Sequence, residues 1–132
     1  MALYALGDMH LAFSVDKPMD RFGKVWKKHE EKIAKNCGEM IQREDTFVIT
    51  GDHSWGRKLS EAEKDLDFIA ELPGRKILLR GNHDMFWDAK KTSSLNQAYA
   101  SRLCFLQNNY YSYRDYALVG TKGYTFEGPF WV

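Results

Sequence analysis

The sequence predicts an α/β domain on a parallel sheet, and three observations carry that expectation. Residues 2–6, 46–50 and 76–80 are short apolar or β-branched runs, and each stops at a glycine followed by Asp or Asn. Segments with helical periodicity separate them and are long enough for crossover connections, so the three strands are expected to be parallel. After residue 100 the texture changes to short strands divided by polar turns.

Each element follows from its own pattern. The run Ala-Leu-Tyr-Ala-Leu at residues 2–6 suits a strand buried on both faces. Phe22, Val25, Trp26, His29, Ile33, Cys37, Met40 and Ile41 then recur at helical spacing among Lys and Glu. They predict one amphipathic helix of roughly 20 residues. Thr46-Phe47-Val48-Ile49-Thr50 reads as a second buried strand. Ser60-Glu61-Ala62-Glu63 is a capping-box pattern opening a helix with Leu59, Ala62, Leu66, Ile69 and Ala70 on one face, closed by Pro73-Gly74. Residues 76–80 form the third strand, and a weaker helix is expected over about residues 88–100. Residues 103–106, 109–113 and 116–119 read as short strands, with turns at Asn108-Asn109 and Arg114-Asp115. The closing Phe-Trp-Val of residues 130–132 has no cap or polar tail, and the chain looks cut there.

The totals limit the function. The 132 residues suit a single domain with a real core. A net charge of +1 gives no electrostatic case for a nucleic-acid surface. Cys37 and Cys104 match no thiolate metal motif and read as free thiols in a reducing cytoplasm. Asp8 and His10 interrupt the N-terminal apolar run, so neither a signal peptide nor a membrane span is expected.

The chemistry lies where the strands end. Gly7-Asp8-Met9-His10, Gly51-Asp52-His53 and Gly81-Asn82-His83-Asp84 each follow a strand. Parallel strands share one carboxyl edge, where ligands bind. That edge brings Asp8, His10, Asp52, Asn82 and His83 together. Carboxylate with imidazole favours Mn, Fe or Zn over a purely oxygen-seeking ion. A middle-strand carboxylate can bridge two such ions about 3.5–4 Å apart, which clamp a phosphoryl oxygen and activate water.

Taken in this order, the three motifs resemble the D-x-H, GD and GNH(D/E) motifs of the calcineurin-like metallophosphoesterase superfamily. The motif match spans residues 1–84. The resemblance implies a β-sandwich flanked by helices, here truncated after its first half, with residues 103–124 only the beginning of the second sheet. It implies a phosphoester substrate and two divalent ions. Asp8 and His10 would bind the first ion, Asp52 would bridge, and Asn82 would bind the second. His83 would be the proton donor or transition-state stabiliser. Two departures stand out. Many members continue the second motif as GDxxDRG, and Trp55 stands where their second Asp would orient the catalytic histidine. Asp84 is a candidate for that role. The later family histidines, a lone His and then GHxH, have no counterpart, because no histidine follows His83.

Other residues have plainer readings. His29 lies on an apolar helical stripe and reads as a hydrogen-bonded core residue. For His53, beside Asp52, contact with substrate is the less favoured of two readings. Arg57 and Lys58 read as solvated loop charges, Trp26, Trp87 and Trp131 as packing residues, and Trp55 as a residue that can border the cleft. The leading functional expectation is a phosphomonoester or phosphodiester hydrolase. The alternative is a catalytically silent portion that associates through exposed sheet edges. A third is a metal-binding protein without turnover.

Overall fold

In a computed structural model the protein is described over residues 1–123. Four strands form one parallel sheet in the order β1 (Leu3–Leu6), β2 (Thr46–Ile49), β3 (Arg75–Leu79) and β4 (Cys104–Leu106). The register pairs Leu6 with Ile49, Ile49 with Leu78, and Leu78 with Phe105. The connections run through α1 (His29–Met40), α2 (Leu59–Glu71) and α3 (Thr92–Ala98). Strands in sequential order, joined by crossovers of one hand, place their helices on a single face of the sheet. The core shows this. Phe47, Ile49, Leu78 and Phe105 share one sheet face and pack with Cys37, Ala62, Leu66, Ile69 and Leu95 of the helices.

The opposite face carries Val48, Ile77 and Leu79. An antiparallel hairpin, β5 (Asn109–Tyr113) and β6 (Tyr116–Gly120), crosses it. Tyr111 Oη reaches the Phe105 carbonyl at 3.0 Å, Arg75 donates to the Ser112 carbonyl at 2.6 Å, and Tyr113 Oη reaches the Met1 carbonyl at 3.3 Å. Gly120 sits against the Leu79 and Leu106 side chains. The hairpin therefore runs from the end of β4 to the start of β1.

Four expectations change. β1 is an edge strand, with Leu3 44% and Leu6 38% exposed, because among the described residues nothing lies beyond it in the sheet. The single helix expected from Phe22 becomes 3-10 turns at Met19–Phe22 and Lys24–Trp26, and α1 starts only at His29. Gly23 at φ 140° and Lys28 at φ 52° lie outside helical space and break it. The capping box does not form. Lys58 occupies the N-cap without a side-chain bond, and the Glu61 carboxylate accepts from the Arg57 N–H at 3.0 Å. Residues 104–106 join the first sheet as β4 instead of opening a second. The weak helix expected near residues 88–100 is a 3-10 turn, Ala89–Lys91, continued by α3. Residues 124–132, including the Phe-Trp-Val end, lie outside the described residues. Among the described residues no helix is long and apolar enough to cross a membrane.

Candidate metal centre

The loops leaving β1, β2 and β3 meet at the carboxyl edge of the sheet. Beyond its strands the ladder continues as separate bonds. Asp8 N–H donates to the Gly51 carbonyl at 3.1 Å, His10 to Asp52 at 2.9 Å, Leu11 to His53 at 2.9 Å and Trp55 to Leu11 at 2.9 Å. These bonds fix the first two loops against each other. Glycine is required at the crossing with the third. Gly51 has φ 125°, and a Cβ there would lie 2.9 Å from Gly81 Cα. A Cβ on Gly81 would overlap the Asp52 backbone nitrogen and Oδ1.

Asp84 ties the third loop to the second. Its buried carboxylate accepts from the N–H groups of Gly81 at 2.7 Å, Asp52 at 2.9 Å and His53 at 2.7 Å, with Ser54 at 3.4 Å. Asp84 thus acts on the backbone of the Asp52 loop. The His83 ring is faced instead by Asp52, whose Oδ2 lies 3.1 Å from His83 Nδ1.

The donors converge as the strand-end motifs require. Ligand atoms of Asp8, His10 and Asp52 all lie within 4.8 Å of one another. His10 Nε2 is 3.7 Å from Asp52 Oδ2. The Asn82 amide nitrogen, in the orientation that satisfies both groups, donates to the Asp52 oxygens at 3.2 and 3.3 Å. The donor set of two carboxylates and one imidazole fits divalent ions of the transition series.

Backbone and electrostatics agree with that fit. Asp8, His10 and Asp52 have φ of 59°, 45° and 52°, left-handed values that non-glycine residues rarely adopt. Such strain costs about 1–3 kcal/mol per residue and concentrates at functional sites. Burial pushes the His10 imidazole below its ordinary pKa, and the Asp52 and Asp8 carboxylates only partly oppose this. Burial pushes Asp52 upward, but hydrogen bonds from His83 and the nearby histidines outweigh it and hold the carboxyl below its usual range. Both groups are thus in the deprotonated forms that bind metal.

Three more residues find their places. His29 Nε2 donates to the Met9 carbonyl at 2.7 Å, so it is hydrogen-bonded as expected, but it is half-buried and stands outside the core. His53 is fully buried beneath the site and donates from Nε2 to the Leu79 carbonyl at 2.6 Å, away from any cleft. Asp65, on the core-facing stripe of α2, was missed from the sequence. It accepts from Phe13 N–H at 2.9 Å and from Ser54 Oγ, bracing the loops that carry the candidate ligands. An acid in register with Ala62, Leu66 and Ile69 was the available signal.

Comparison with known proteins agrees with this geometry. A family model described as "Calcineurin-like phosphoesterase" matches residues 1–130. The chain is 38% identical over 56 residues to the Gene 66 protein of Mycobacterium phage L5, covering 42% of this chain and 27% of that protein. It is 35% identical over 71 residues to the Gene 66 protein of Mycobacterium phage D29, covering 51% of this chain and 35% of that one. Among solved structures it resembles AQ665 from Aquifex aeolicus, a protein of unknown function. The TM-score is 0.55 at 23% identity, over 89% of this chain and 58% of that one. At that identity the likeness shows the fold alone. The matched regions span about a third or less of each phage protein and under two thirds of the Aquifex chain. With the family match covering nearly every residue and the motif residues gathered at one sheet edge, this chain belongs to the calcineurin-like phosphoesterase family.

Proposed function

We propose that the chain is a metal-dependent hydrolase of a phosphomonoester or phosphodiester, working with two divalent ions of the manganese, iron or zinc type. The supporting observation is the convergence of Asp8, His10 and Asp52 within 4.8 Å. Asp8 and His10 would hold one ion, Asp52 would be shared between the two, and Asn82 would offer its amide oxygen to the other. When bound, the ions supply Lewis-acid polarisation of a phosphoryl oxygen and an attacking water acidic enough to ionise near neutral pH. His83 is the proton donor. Its side chain is 45% exposed, and with Nδ1 engaged by Asp52, Nε2 is left to protonate the departing alkoxide. Asp84 sets the loop from which Asn82 and His83 project. Cys37 and Cys104 are both free thiols, which supports a cytoplasmic setting.

The test is hydrolysis of a chromogenic phosphodiester by the 132-residue chain with Mn²⁺, beside a chelator and Asp52→Asn. Turnover abolished by both controls is expected. A folded, metal-loaded chain without turnover would favour a second reading, a silent metal-binding portion that pairs sheet edges with another copy. The exposed β1 edge supports that reading.

A further inference from the structure

Trp55 lies against both histidines of the site. Its ring stacks on His10 at 4.8 Å between centroids and 22° between planes, and meets His83 at 5.1 Å and 53°. His10 and His83 meet each other edge-on at 5.8 Å. The indole is itself held from several sides. Its backbone N–H donates to the Leu11 carbonyl at 2.9 Å, its Nε1–H points at Met19 Sδ at 3.3 Å, and Lys17 Nζ lies 5.2 Å from the ring centroid.

A ligating imidazole needs a fixed ring plane so that its lone pair points at the ion. A hydrogen bond from its second nitrogen usually provides this. His10 lacks that device, since its Nδ1 is buried with no hydrogen-bond partner among the described residues. Its ring plane must then be set by packing. Trp55 supplies the near-parallel face, and Trp26 adds only an edge contact at 6.4 Å and 64°.

We propose that Trp55 is a positioning residue of the metal centre, its indole fixing the ring plane of His10 and, beside it, the approach of His83. The inference rests on the metal-centre reading above. The clamp from Met19 and Lys17 makes the loop of residues 11–20 part of the same support.

The experiment measures Mn²⁺ binding to the full chain by calorimetry, with folding followed by circular dichroism, for wild type, Trp55→Phe and Trp55→Leu. Trp55→Phe keeps a flat ring and should bind close to wild type. Trp55→Leu keeps bulk without the ring and should bind with unchanged stoichiometry but about 10–100-fold more weakly, the usual loss when a ligand's support is removed. A folded Trp55→Leu with wild-type affinity overturns the proposal. Wild type that binds no Mn²⁺ overturns the metal-centre reading and this inference with it. Should Trp55→Leu fail to fold, the wild-type indole N–H resonance decides, assigned by its absence in Trp55→Phe. Paramagnetic Mn²⁺ should broaden it away, and a resonance that Mn²⁺ leaves untouched overturns the proposal.

Discussion

Asp52 organises the site at the scale of single residues. Its Oδ1 accepts from the His83 N–H at 2.9 Å, while Oδ2 faces His83 Nδ1 and His10 Nε2. Asp84 has no ligand role in this geometry, yet several loop N–H groups depend on it. Orphaning buried donors costs about 1–3 kcal/mol. Asp84→Ala should therefore lower stability by about 3 kcal/mol, read by denaturant unfolding, and weaken Mn²⁺ binding in whatever remains folded. Asp65 gives a pH signature of the opposite sense to the usual acid. Burial raises its folded pKa above the ordinary 3.8, against the opposing bonds from Ser54 and Phe13. The native state then holds a proton that the unfolded chain has released. Asp65's contribution is most favourable below that ordinary value and is lost as pH rises through its folded pKa. Unfolding curves of wild type minus Asp65→Asn should show that decline with rising pH, and a flat or rising difference would contradict it. The sequence made Asp8, His10, Asp52, Asn82 and His83 legible because each closely follows a glycine at the end of an apolar run. It did not disclose Trp55 against His10, or Asp65 beneath the loops, since those contacts join residues distant in sequence.

The strands were the legible elements, because a parallel sheet demands continuous apolar runs and leaves little ambiguity. The helix expected from Phe22 failed for a local reason. Apolar spacing persisted through Val25 and Trp26, but the backbone at Gly23 and Lys28 left helical space, and Phe22 and Val25 are exposed. Periodicity reports which side chains share a stripe and is silent about one residue with positive φ. The crossing of the second and third loops is likewise a backbone matter. Gly81→Ala would force its methyl group into the Asp52 nitrogen and carboxylate. That substitution should leave α2 and the core largely intact by circular dichroism and reduce metal binding sharply. Unimpaired binding would mean that the loops are looser than their hydrogen bonds imply.

At the scale of the whole molecule, the described residues form a sheet with its helices on one face and a hairpin across the other, and the candidate metal ligands gather at one end of that sheet. The apolar runs and the helical spacing anticipated the parallel sheet and its helical layer. The resemblance misassigned β4, because a three-residue strand carries too little pattern to say which sheet it joins. The β1 edge is the exposed margin of this architecture. If copies associate there, Leu3→Lys should keep the chain monomeric in sedimentation velocity while leaving Mn²⁺ binding unchanged, since lysine blunts edge pairing. The central claim remains that three strand ends build one metal centre around Asp52. Its most direct test is calorimetric titration of Mn²⁺ into wild type and Asp52→Asn, both verified as folded. Saturable binding to wild type, lost or greatly weakened in Asp52→Asn, is the predicted result. Equal binding by the two proteins would contradict the account.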